Sequence, residues 1–300
     1  MAAGSSASAP RIRSMLYVPG DDDRKLAKVD SSPADAVVLD LEDSVAPERR
    51  AVARDKVRAF LDARPRASRS LQLWVRINAL DDAALVDLAA VVGGDPDGIV
   101  LPKVDGPDDV TRLEHCLDAL EVREGLEGGS IVICAVATET PDAVLRLPEY
   151  ASARFTRLAA LNWGAEDLSA AVGAATNVDE HGRWTLTYRW ARSAVLLAAK
   201  AAGVQALDTV HVDFRDLDGL AAATRESALE GFTGRVAIHP DQVEPINRVF
   251  TPSAEDIALA ESIVAAFEQA SGPTGTIGID GVMYDIPHLK RARRLLASLG

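Results

Sequence analysis

Short apolar runs rich in β-branched residues recur along the chain, and a stretch of helical period follows each of them. Eight such runs occupy 15–18, 36–41, 71–77, 98–104, 131–137, 157–162, 209–214 and 235–238. Several are almost unbroken in their hydrophobicity, as strands covered on both faces must be. Eight strand–helix units in about 225 residues predict an α/β fold, the TIM (β/α)8 barrel. The alternative, an open doubly wound sheet, normally carries a glycine-rich dinucleotide loop after an early strand, and no G-x-G-x-x-G occurs here. Between Ala175 and Tyr188 the sequence NVDEHGRWTLTY interrupts the sixth unit, an insertion that a barrel places on its active face. Beyond the eighth unit the pattern predicts a helix over 254–270, an Asp- and Gly-containing segment over 276–285 and a last helix over 287–299. The expected organisation is a disordered tail over 1–12, a catalytic barrel over 13–251 and a C-terminal helical extension over 252–300, which caps the barrel or reaches a neighbouring subunit.

Composition narrows the class of partner. With 48% hydrophobic and 26% charged residues the chain reads as a globular protein with a sizeable core. No apolar run approaches the roughly 20 residues needed to span a bilayer, and the Ala/Ser-rich start has neither a basic leader nor an apolar stretch, so a cytoplasmic location is expected. A formal charge of −13 argues against nucleic acid and anionic membranes. It leaves room for an anionic metabolite, because a few cations reverse the sign within one cleft. Cys116 and Cys134 sit in apolar-periodic segments without CxxC spacing and read as buried free thiols.

Barrel enzymes take their catalytic groups from the C-terminal ends of strands, so the polar residues just past each run are the candidates. They are Asp21, Asp22, Asp23, Arg24 and Lys25 after the first run, Asp40, Glu42 and Asp43 at the second, and Arg76 and Asn78 at the third. Lys103, Glu139, Glu166 with Asp167, Asp213 with Arg215, and His239 follow from the later runs. Glu139 and Asp167 leave adjacent strands; together they suit a hard, oxygen-seeking ion such as Mg2+, or each is a solvated loop acid or helix cap. Arg76 lies in an otherwise apolar run, where a guanidinium must be paired; its fork matches either a substrate carboxylate or a structural partner, Asp40 or Glu42. Lys103 is a substrate contact, a Schiff-base lysine, or the partner of a neighbouring acid. His239 is an acid/base group or a histidine held by a carboxylate, and His211 is assigned no role.

Nine phrases occur in a fixed order: RSMLYVPGDD, DAVVLDLEDSVAPERR, WVRIN, GIVLPKV, TETPDAV, WGAEDL, DFRDLDGL, GFTGRVAIHP and IDGVMYDIP. From Arg13 to the C-terminus the chain resembles the HpcH/HpaI aldolase and citrate lyase β-subunit family, specifically its CitE-like acyl-CoA lyases. The resemblance implies Mg2+ on Glu139 and Asp167, and an α-keto-acid carboxylate on Arg76. It further implies Glu42 and Asp43 beside the metal, Gly164, Ala165 and Glu166 along the substrate, and CoA contacts from Arg13, Lys25 and Lys103. Family members that are trimers or hexamers lend an Asp from a neighbouring subunit's C-terminal segment, and Asp285 in GVMYD is its match, with an acid/base role. The implied reaction is reversible cleavage of a 3-hydroxyacyl-CoA of the malyl-CoA or citramalyl-CoA type to acetyl-CoA and an α-keto acid. The same barrel supports a malate-synthase or thioesterase outcome, a citryl-CoA lyase subunit acting within a complex, and an aldolase acting without CoA. Asp142 and Ala143 depart from the usual ETARG or ETPxG phrase, and Val282 replaces a frequent Lys.

Overall fold

The computed structural model describes residues 11–270 and 274–299. Eight parallel strands close into a barrel in sequence order: β1 (Ser14–Pro19), β2 (Ala36–Asp40), β3 (Gln72–Arg76), β4 (Gly98–Leu101), β5 (Val132–Val136), β6 (Leu158–Asn162), β7 (Gln205–Asp208) and β8 (Gly234–Ala237). The last strand pairs with the first, and Met15 lies opposite Val236. Met15, Ala36, Val38, Trp74, Val100, Cys134, Val136, Ala160 and Leu207 form a buried cluster from seven of these strands, a packed core of the kind that fills barrels of this size. Burying a side chain of this kind contributes about 1.5–3 kcal/mol relative to leaving it in water. Cys134 is buried in this cluster and both cysteines are free.

The predicted strand 209–214 is a correction. The seventh strand is Gln205–Asp208, and the run after it is loop, with Val212 61% and Phe214 40% exposed. The alternating Val and aromatic residues of that run imitate a strand. The true strand is four residues long and has no β-branched side chain. Its place is set by pairing to Ala160–Asn162 of β6 and Gly234–Arg235 of β8.

Contacts divide the chain into two compact units that part between Arg248 and Val249, three residues before the expected boundary. Residues 1–10 of the expected tail lie outside the described residues, whereas Ile12 is buried in the barrel core and its N–H donates to the Gln205 side chain. The second unit contains helices Ala254–Gln269 and Ile286–Ala297, joined by a two-stranded antiparallel ribbon, β9 (Thr276–Ile279) and β10 (Val282–Asp285). Asp280 (φ 48°) and Gly281 (φ 80°) make its turn, the Asp-Gly pair that a type I′ hairpin requires. Ala260, Ile263 and Ala292 form its small core, with Phe267, Ile279 and Tyr284 packed against them. Among the described residues no helix is long and apolar enough to cross a membrane.

Candidate active site

The register of β2 against β3 sets Asp40 directly opposite Arg76. Arg76 Nε and Nη2 donate to the two oxygens of Asp40, each at 2.7 Å, and Nη1 lies 2.9 Å from Glu42 Oε2. Asp40, only 1% exposed, also accepts from Ser44 Oγ at 2.5 Å and from the Glu42 N–H at 3.0 Å. Burial alone would raise its pKa, but the paired guanidinium outweighs that and holds the carboxyl below its ordinary range. The Tyr17 ring supports the guanidinium from below, with Arg76 Cζ 5.0 Å from its centroid. Each Nη carries a second N–H that these partners do not take. Arg76 is thus structurally paired, and 14% of its side chain stays exposed.

Lys103 follows β4 with a left-handed backbone, φ 51°, an arrangement of order 1–3 kcal/mol for a residue with a side chain. That turn points its N–H at a Glu139 carboxylate oxygen. The side chain runs the other way: Nζ bonds to Glu42 and lies 3.2 Å from Asp43 Oδ1. Burial opposes its charge, yet the two carboxylates raise its pKa above the ordinary lysine range. An ammonium so held is not the neutral amine that Schiff-base chemistry needs. Of the alternatives open in the sequence, pairing with neighbouring acids is what the structure displays. Burial pushes the pKa of Glu42 up despite its two cationic neighbours.

Glu139 is 3% exposed and not a solvated loop acid. Its pKa is raised well above the ordinary value, first by burial and then by the charge of Asp167. Asp167, half-buried, stands in the first turn of the helix Ala165–Val172, whose cap position belongs to Gly164, so it is no N-cap. Gly164 is packed tightly: its N–H donates to Thr138 Oγ1 at 3.1 Å, and a Cβ there would stand 2.7 Å from Glu139 Cγ. Two carboxylates forced together in a largely water-free recess repel each other unless a cation joins them. Among the described residues no cluster of three or more His, Cys, Asp or Glu is disposed as metal ligands. Two carboxylates with waters and substrate oxygens is the donor set Mg2+ favours, so these residues fit that ion.

The remaining candidates disperse. Ala165 is buried, and Glu166 is exposed and accepts from Asn177 Nδ2, in the β6 insertion, at 2.8 Å. Lys25 is exposed past the C-terminal end of β1, 3.9 Å from Asp22. Arg13 is a correction: it precedes β1 at the opposite end of the barrel and forks onto Asp35, with Nη2 2.6 Å from Oδ1. A residue before a strand cannot reach a site built where the strands end, so Arg13 is no CoA contact of that site. His239 caps the turn Pro240–Gln242 and stacks on Phe214 with centroids 4.8 Å apart, a structural arrangement. His211 lies in the loop after β7, not in a strand. Asp285 belongs to the second unit, where it caps the helix Ile286–Ala297 and lies 2.5 Å from His288 Nδ1. That hydrogen bond holds its carboxyl below the ordinary range. Sequence reasoning gave no role to Tyr17 beneath Arg76 or to Trp163. An aromatic in a strand, as Tyr17 is, or directly after one, as Trp163 is, otherwise looks like core, and only its neighbours reveal more.

Comparison with known proteins agrees with this geometry. The family model for HpcH/HpaI aldolase/citrate lyase matches residues 13–240. The chain is 35% identical to the mitochondrial citramalyl-CoA lyase of Mus musculus over 95% of its own length and 85% of that protein's. It is 34% identical to the L-malyl-CoA/beta-methylmalyl-CoA lyase of Cereibacter sphaeroides, over 93% and 92% of the two chains. The crystal structure of CitE from Mycobacterium tuberculosis with magnesium, acetoacetate and coenzyme A superposes with a TM-score of 0.74 at 30% identity, covering 96% of this chain and 98% of that one. With a closed eight-stranded barrel and an acidic pair, arginine and lysine at its C-terminal end, the chain belongs to the HpcH/HpaI aldolase/citrate lyase family.

Proposed function

We propose that this chain is a Mg2+-dependent carbon–carbon lyase that cleaves a 3-hydroxyacyl-CoA of the malyl-CoA or citramalyl-CoA type, reversibly, to acetyl-CoA and an α-keto acid. The observation that carries this reading is the buried Glu139 beside Asp167, with Arg76 braced at the same end of the barrel. Glu139 and Asp167 would hold the metal, which would supply Lewis-acid chemistry and offset negative charge developing in the site. Arg76 binds the keto-acid carboxylate with the N–H groups left over from Asp40 and Glu42, which keep its plane fixed. Lys103 and Glu42 neutralise one another beside it.

Cleavage moves one proton from the 3-hydroxyl to the α-carbon of the departing thioester, with no net release. Asp285 is the group we assign to the α-carbon: as a carboxylate it removes the proton in condensation, and in cleavage it delivers a proton taken up from solvent, to which the 3-hydroxyl proton is released. Its hydrogen bond from His288 favours the carboxylate, the form that acts as base. The C-terminal unit supplies Asp285 to a neighbouring subunit's site in a homotrimer or hexamer, and Lys25, which is exposed past the end of β1, meets the CoA phosphates.

The test is acetyl-CoA release from malyl-CoA and citramalyl-CoA by the wild type, Glu139→Gln, Asp167→Asn and Asp285→Asn. Both metal-site variants should lose turnover and Mg2+ binding, and Asp285→Asn should lose turnover alone. Release of free CoA in place of acetyl-CoA would identify a thioesterase instead, and unchanged turnover by Asp285→Asn would remove that residue from the mechanism.

A further inference from the structure

Asp167 is carried by a helix start that has no side-chain cap. What holds that start in place is found four residues earlier. Trp163, directly after β6, is fully buried, and its indole Nε1–H donates to Asp208 Oδ1 at 2.5 Å. Asp208, at the end of β7, is itself completely buried and heavily tied. It accepts from Arg192 Nη2 at 3.2 Å, Arg235 Nη2 at 3.1 Å, the Thr209 N–H at 2.8 Å and the Ser227 hydroxyl. Arg192 pairs in turn with Glu230, so two cations and two anions balance. Arg235 is pinned further by donating to Thr209 O at 3.0 Å and Thr224 Oγ1 at 3.1 Å.

A carboxylate bound by two buried guanidiniums has little freedom, and whatever hydrogen-bonds to it inherits that fixity. The indole is wedged on another side by Trp184 of the β6 insertion, edge-on with centroids 5.1 Å apart, and Tyr188 packs on Trp184 at 6.4 Å. Between Trp163 and the helix lies only Gly164, in close contact with Glu139. The chain from the indole to the two carboxylates is thus short and without slack.

We propose that Trp163 is a positioning residue for the metal pair: anchored on Asp208 and wedged by Trp184, it sets the helix start that carries Asp167 against Glu139. The proposal rests on the reading of Glu139 and Asp167 as metal ligands. It also gives the insertion a purpose, as the outer wall of that anchor. Groups that hydrogen-bond a ligand directly are worth 10–100-fold in metal affinity, and Trp163, which acts through the backbone of 163–167, belongs at the low end of that range.

Calorimetric titration of metal-free protein with Mg2+ tests it, using Trp163→Phe, which keeps a ring and removes the donor. The expected result is a Kd raised about tenfold, measured well below the melting temperature, with CoA affinity unchanged. A merely structural tryptophan would lower the melting temperature and leave the Mg2+ Kd alone. Trp184→Leu, in the exposed insertion, removes the wedge without touching the anchor and should raise the Kd two- to fivefold; it decides the matter if Trp163→Phe does not fold. A Kd within twofold of the wild type in the folded variant overturns the proposal when Glu139→Gln abolishes binding. If Glu139→Gln and Asp167→Asn bind Mg2+ like the wild type, the metal-pair reading itself has failed, and this proposal with it.

Discussion

A methyl group at position 164 is the smallest change that reaches the proposed metal pair directly. In Gly164→Ala the new Cβ would stand 2.7 Å from Glu139 Cγ, 3.3 Å from Val136 Cγ1 and 3.4 Å from Glu139 Cδ. Carbon atoms in contact settle at about 3.5 Å or more, so the Glu139 side chain or the 163–167 loop must retreat by about 0.8 Å. Ligand distances tolerate only about 0.2 Å, and on the proposed reading the displaced group is a ligand. Backbone geometry does not oppose the change: φ −104° and ψ 101° suit alanine as well as glycine. Fold stability should therefore fall by no more than about 2.6 kcal/mol, because an overpacking cost of about 1–3 kcal/mol is partly offset by about 0.4–1 kcal/mol from stiffening the unfolded chain. Mg2+ affinity should fall 10–100-fold, about 1.4–2.7 kcal/mol. Calorimetry with Mg2+ on metal-free protein, beside a thermal melt without metal, separates the two effects. A variant that binds Mg2+ within twofold of the wild type would refute the claim that Gly164 is required by its closeness to Glu139.

Arg76→Lys replaces a fork by a point donor, so it cannot hold both Asp40 oxygens and a substrate carboxylate at once. The KM for the keto acid in condensation should rise about 100-fold, with about 1–3 kcal/mol lost in urea denaturation; an unchanged KM would exclude carboxylate binding by Arg76. For Asp208, burial raises the pKa, but Arg235, Arg192 and the neutral donors override it and bring the carboxyl down to about 2. A depressed folded-state value contributes stability above the unfolded value near 4, lost as pH falls from there through about 2. The contribution is about 2 kcal/mol. Urea midpoints of wild type and Asp208→Asn between pH 5 and 2.5 should show the wild type losing more, and parallel curves would contradict the assignment.

Much of the barrel is legible in the chain itself, because a strand covered on both faces must be apolar and the helix after it must be amphipathic, and both are local patterns. The helices of the C-terminal unit were equally plain, and the Asp-Gly pair at 280–281 marks its hairpin once the backbone requirement is considered. The seventh strand was misplaced because a four-residue strand without β-branching is defined by its neighbours and not by its composition. The site divides in the same way. Glu139, Asp167 and Arg76 were recognisable as polar residues at strand ends and as members of a family phrase. Neither fact says that Glu139 is buried against Gly164, that Arg76 is braced by both Asp40 and Glu42, or that Lys103 is occupied by Glu42. Arg13 matched a family phrase and lies at the wrong end of its strand. Local sequence decides which segments fold as strand or helix. Which charges meet is decided only when strands separated by tens of residues come into register, as Asp40 and Arg76 do, since the pairing energy depends on distances that no local pattern contains.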